Sequence, residues 1–245
     1  MTPLADIPLN TWCWLVGSAT LIILGTKSVA GYRRSRGQLA KYMAWFSWVF
    51  LPSLLAFSVP ALFTLDPGIL HTTSLIGEFF FFMGFVAQAA ILWCLILRRY
   101  FSIWYVTVPV ALTGLVCWLY DIPNSRLVLE DNFINYYDPR AVSIVIAILM
   151  VGLFVPVGIY FIRAASFQNG MKATATSFML GLMYVGIGLS TASQELIARQ
   201  LLTPYSAVVN LIIAAFLLTA LLLPWKLSVK LPAPVQQPQA PLKPL

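Results

Sequence analysis

Seven apolar stretches, at 10–28, 42–65, 73–97, 101–120, 141–162, 173–198 and 205–225, constrain this chain more than any other feature. Each approaches or exceeds the roughly 20 residues that carry a helix across a hydrocarbon core about 30 Å thick. A backbone in lipid has no water to bond, so a single span of this length satisfies its own amides as a helix. The expected fold is all-α: an integral membrane bundle of seven transmembrane helices within residues 1–225. A proline-rich tail, expected to be mobile and cytoplasmic, occupies 226–245.

Charge sets the expected threading. With the N-terminus outside and the C-terminus inside, Asp6, Asp66, Glu78, Asp121, Glu130, Asp131, Asp138 and Glu195 fall outside or toward the outer helix ends. Lys27, Arg33, Arg34, Arg36, Lys41, Arg98, Arg99, Arg163, Lys172, Lys226, Lys230 and Lys243 fall inside. Only Arg126, Arg140 and Arg199 are basic residues on the outer side. Orientation follows the Lys/Arg bias of short loops, which gives this direction. The segment before the first stretch carries Asp6 and no basic residue, so 10–28 reads as a retained helix and not as a signal peptide. The net charge of +7 belongs to inner loops facing anionic lipid, and nucleic acid is not an expected partner. The expected partners are the lipid bilayer and a membrane or cytoplasmic protein. The expected location is the plasma (cell inner) membrane.

Several chemistries lack their residues. His71 is the only histidine, whereas haem held between helices usually takes a pair. Cys13, Cys94 and Cys117 have no metal-type spacing, and no nucleophile-elbow, zincin or nucleotide-loop motif occurs. The expectation is therefore no cofactor and no metal, with a non-enzymatic role favoured over an enzyme acting on lipid through paired carboxylates. Pro52, Pro60, Pro109 and Pro156 are expected inside helices as kinks, which membrane bundles tolerate.

Polar residues within the spans are the functional candidates, because lipid makes them costly. Glu78, Glu195 and Asn210 each lie near the outer end of a helix, and Gln88 lies near mid-membrane. In the sixth helix Ser177, Gly181, Tyr184, Gly188, Thr191 and Glu195 recur at spacings of four and three, forming one small and polar stripe. Gly77, Phe81, Gly84 and Gln88 form a weaker equivalent in the third. Helix packing accounts for Gln88, Thr191 and Ser177 without a ligand, and the four-residue spacing of Glu195 and Arg199 suits a local ion pair. The functional expectation is an outward-opening pocket between helices three, six and seven, roofed by residues 121–140. Its ligand-binding residues are Glu78, Gln88, Tyr184, Thr191, Glu195 and Asn210. Its carboxylates favour a cationic or amine-bearing ligand and a response to external pH.

A seven-helix layout of this orientation matches receptor and sensor modules. The expected function is a non-enzymatic, receptor-like or partner-docking membrane module that senses an external cue. The alternative is a small-solute or ion transporter using the same outer carboxylates. A transporter must also connect its site to the inner side, and the inner halves of these segments are almost wholly apolar. The tail carries two overlapping PxxP patterns, Pro238 to Pro241 and Pro241 to Pro244, which loosely fit a polyproline ligand.

Overall fold

A computed structural model describes residues 7–130, 133–168 and 170–196. Six helices are long and apolar enough to cross a membrane: Leu9–Ser35, Gln38–Leu62, Pro67–Leu97, Trp104–Asn124, Arg140–Ala165 and Ala173–Leu196. They correspond in order to the first six expected spans. The expected seventh helix (205–225), the tail and Arg199 lie outside the described residues.

The elements are α1 (Leu9–Ser35), α2 (Gln38–Ser58), α3 (Pro67–Leu92), α4 (Trp104–Asn124), β1 (Arg126–Glu130), β2 (Phe133–Tyr137), α5 (Arg140–Ala165) and α6 (Met171–Leu196). Local chemistry sets several boundaries. Arg36 ends α1 in the left-handed conformation at φ 54°, and its N–H donates to the Tyr32 carbonyl at 2.8 Å. This cap lets the chain reverse within two residues into α2. Asp66 starts α3 by accepting the Ile69 N–H at 2.9 Å, with Pro67 in the first turn, where a missing donor costs nothing. Pro60 departs from expectation. The α-helix ends at Ser58, and Pro60–Leu62 is a separate 3-10 turn. Proline has no N–H to continue the ladder, so the chain tightens there instead of kinking. Pro52, Pro109 and Pro156 do lie inside helices, and Pro123 joins them.

Successive helices run antiparallel, and this sorts charge between the two ends of the bundle. Arg33, Arg34, Lys41, Arg98, Arg99 and Arg163 gather at one end, through the turns and helix ends that carry them. Asp66, Asp121, Asp138 and Glu195 gather at the other. These are called the basic and acidic ends below.

The segment expected as a roof carries regular structure among its described residues. It continues α4 to Asn124 and then folds as an antiparallel hairpin, with Leu127 opposite Tyr136 and Leu129 opposite Ile134. This small sheet is a departure from an all-helical chain, and its β-branched and aromatic residues suit a half-buried strand. Ile134 is the anchor, buried against Ala61 and Leu70 beside Trp14 and Tyr136. Asn10 clamps it from α1: the side-chain amide donates to the Ile134 carbonyl at 2.7 Å, and the Ile134 N–H donates back to Asn10 Oδ1 at 3.2 Å.

The helices form two packed groups. α1, α2, α3 and α4 pack in sequence, while α5 and α6 make a tight pair that meets α3. Small residues set the closest approaches, as expected where lipid provides no hydrophobic drive between helices. A Cβ on Gly158 of α5 would lie 2.7 Å from the Gly181 carbonyl oxygen on α6. Gly188 faces Met150 and Phe154, so Ser177, Gly181, Tyr184 and Gly188 form a buried packing stripe. In α3, Gly77 and Gly84 face α2, where the Phe50 ring fills the space that a Gly84 side chain would need.

Candidate functional site

Among the described residues, the two groups leave a gap between α1 and α2 on one side and α5 and α6 on the other. The gap is a cavity of about 350 Å³ under the hairpin, toward the small end of the roughly 300–1,000 Å³ typical of ligand pockets. Its α1 wall runs from Asn10 to Leu24, a descent of about 21 Å from the acidic end at the helical rise.

The wall changes character along that depth. At the acidic end the lining includes Glu78, Asp138, Thr191 and Glu195, together with Asn135 of the hairpin. Beside these lie three aromatic rings in mutual contact. Trp14 sits 5.5 Å from Phe57 and 5.9 Å from Tyr136, and Phe57 sits 5.3 Å from Tyr136. Deeper positions are apolar, with Leu24, Phe46, Met150, Phe154 and Met183. Burial, reinforced by the nearby Glu78 carboxylate, pushes the Tyr136 phenol well above its ordinary range. It is therefore a protonated hydrogen-bond donor at the acidic end of the cavity throughout the physiological range.

Behind this acidic wall a further carboxylate, Asp121, joins Glu78 and Asp138. One ligand oxygen each from Glu78, Asp121 and Asp138 lies within 4.8 Å of the others, and Glu78 and Asp121 are buried. Three segments supply them: α3 about three turns from its start, the end of α4, and the residue pair leading into α5. Two ionised carboxylates at that separation repel by roughly 3 kcal/mol at an effective dielectric near 20. A shared proton, a hard divalent cation or a ligand's positive charge would relieve the repulsion. The all-oxygen donor set is of the kind such cations take.

Toward the basic end the cavity closes on aromatic rings. Phe46 meets Phe154 at 6.0 Å, Phe154 meets Tyr184 at 5.9 Å, and Tyr184 stacks on Phe161 at 5.9 Å. Tyr184 lines the floor and is fully buried, yet its hydroxyl has no hydrogen-bond partner among the described residues. A buried phenol left in that state costs about 1–3 kcal/mol, unless a water or a ligand atom serves it.

The expected site residues separate here. Glu78, Tyr184, Thr191 and Glu195 all line the cavity. Gln88 does not: it is fully buried, and its amide donates to the Leu153 carbonyl at 3.2 Å, tying α3 to α5. Asn210 lies outside the described residues. The α1 and α2 walls and the aromatic trio were not expected. Their residues are apolar at helical spacing, and nothing in that pattern separates a cavity wall from a lipid face. Asp121 and Asp138 were expected as loop charges. The hairpin between them pairs Arg126 with Tyr137 and so brings the end of α4 and the start of α5 together. Cys13 also lines the cavity, and no disulfide joins Cys13, Cys94 or Cys117.

No protein-family model matches this chain, and a search of curated proteins also finds no match.

Proposed function

We propose that the protein is a non-enzymatic, receptor-like membrane module whose cavity takes an organic ammonium ligand with an apolar body. The supporting observation is the gradient along one cavity, from carboxylates and mutually tilted aromatic rings at the acidic end to an apolar floor. Glu78, Asp138 and Glu195 attract the cation, and the faces of Trp14, Phe57 and Tyr136 favour an alkylated head through cation–π attraction. The alkyl body then occupies the space beside Phe46, Met150 and Phe154, where burial contributes about 25 cal/mol per Å² of apolar area. Occupancy bridges the α1–α2 wall and the α5–α6 wall, which have few contacts of their own. The signal in this proposal is the change in their separation. The transport alternative is less well supported, because the series Phe46, Phe154, Tyr184 and Phe161 closes the cavity where a conduit would continue.

Cys13 provides a native reporter at this wall. In a Cys94→Ala/Cys117→Ala background, a trimethylammonium-bearing thiosulfonate should modify Cys13 at least about 10-fold faster than a sulfonate-bearing one, because the acidic mouth concentrates cations. Both rates are normalised to those of a small free thiol. Octylammonium should slow the reaction. Equal normalised rates with no protection would remove the acidic cavity as a cation site.

A further inference from the structure

At the opposite, basic end, α1 and α2 enclose a second groove, unrelated to the cavity above. It is lined by Thr26, Val29, Ala30, Arg33, Arg34 and Trp48, with a volume of about 360 Å³. Thr26, Ala30, Arg33 and Arg34 stand at i, i+4, i+7 and i+8, one face of α1. Trp48 reaches across from α2 because Gly25 has no side chain: a Cβ there would lie 3.0 Å from the indole Nε1. The groove is thus apolar along the helix and cationic where the helix ends.

Arg33 and Arg34 are exposed in the last turn of α1. Among the described residues neither forms an ion pair. Arg36 is committed elsewhere, with its guanidinium 5.7 Å from the centroid of the Tyr32 ring. Two adjacent guanidinium groups offer the forked donors that suit phosphate oxygens. The depth also fits. Both arginines lie at the end of a helix long enough to span a bilayer, where headgroups sit. A free anion would use only the arginines, leaving Val29, Ala30 and the Trp48 ring without a role.

We propose that this groove binds an anionic phospholipid, with Arg33 and Arg34 on the phosphate and an acyl chain along Val29, Ala30 and Trp48. The occupant is a lipid of the surrounding leaflet, and its role is to hold the α1–α2 pair at its basic end.

The test is titration of the purified full chain, in a non-ionic detergent, with dioctanoyl phosphatidylglycerol and dioctanoyl phosphatidylcholine. Saturable binding of the glycerol lipid is expected, at least about 10-fold tighter than the choline lipid. Arg33→Gln/Arg34→Gln should weaken it by roughly 10- to 30-fold, from the loss of two cations at an anionic headgroup. Arg98→Gln/Arg99→Gln removes the same charge at the same end and should change it less than about 3-fold. Trp48→Ala should weaken the glycerol lipid while leaving the weak response to inorganic phosphate unchanged. Equal losses in the two arginine pairs would overturn the site in favour of diffuse surface attraction. Equal binding of the two lipids would overturn it as well. Full competition by millimolar inorganic phosphate, with no effect of Trp48→Ala, would make it an anion site and not a lipid site.

Discussion

Replacing Gly158 with valine is expected to lower the thermal midpoint by roughly 10 °C. The new Cβ would lie 2.7 Å from the Gly181 carbonyl oxygen and 2.8 Å from the Val185 backbone nitrogen. Backbone cannot rotate away as a side chain can, so α5 and α6 must separate, and the α5–α6 pair loses the packing that defines it. Overpacking ordinarily costs about 1–3 kcal/mol, and a clash with backbone lies at or above the top of that range. A loss near 3 kcal/mol corresponds to roughly 10 °C in thermal midpoint for a chain of this size. Gly152 on the same helix is the matched control, since a Cβ there meets nothing within 4 Å. Gly152→Ala should be neutral or slightly stabilising, because alanine gives up less backbone freedom in a helix. Thermal unfolding of both variants in one detergent checks the pair. Equal midpoints would mean that α5 and α6 do not approach through Gly158 and Gly181.

The second large effect is expected at the acidic end of the cavity. Glu78→Gln combined with Glu195→Gln should lower the affinity for octylammonium by at least about 100-fold. Each charge-assisted contact contributes roughly 1.5–3 kcal/mol, and 1.4 kcal/mol is a factor of ten. Both residues line the cavity, from α3 and α6, so the double variant removes charge from two walls without changing shape. Neutral octanol provides the control. Its weak binding to the apolar depth should persist in the variant, which separates loss of charge recognition from loss of fold. A variant that retained octylammonium affinity would show that the glutamates do not recognise the ligand.

The sequence and the structure agree most closely where a single physical rule dominates. Span length and apolarity located the six described helices, since lipid admits few alternatives for a backbone. The stripe of Ser177, Gly181, Tyr184 and Gly188 is legible because small residues at helical spacing mean close approach, and Gly158 on α5 receives it. Glu78, Tyr184, Thr191 and Glu195 were legible as a group because each is a polar residue in a costly place. Other features depend on three-dimensional context that spacing does not encode. The aromatic trio draws Trp14, Phe57 and Tyr136 from three separate elements, and each alone resembles an interfacial ring. Gln88 met the same polar criterion as Glu78 but turns to the Leu153 carbonyl, a choice set by which neighbour offers an acceptor. The hairpin at 126–137 was hidden by the acidic residues around it. Its order comes from Ile134 and the Asn10 clamp, a pairing 124 residues apart in the chain.

The acidic triad bears directly on the proposed recognition. Glu78 and Asp138 are shared between the triad and the cavity wall, whereas Asp121 stands behind them, fully buried. An ammonium group at the wall lies within Coulombic reach of the Asp121 carboxyl as well as of the two that line the cavity. The same closeness makes protons and hard divalent cations natural competitors for the site.

Calorimetric titration of the wild-type chain in zwitterionic nanodiscs tests the central claim most directly, with octylammonium, octanol and octanoate as ligands and empty nanodiscs subtracted. The predicted result is saturable, one-site binding of octylammonium, at least about 10-fold weaker binding of octanol, and no specific binding of octanoate. Comparable heats for all three, or signals that never saturate, would mean simple partitioning and would contradict a cation-selective cavity.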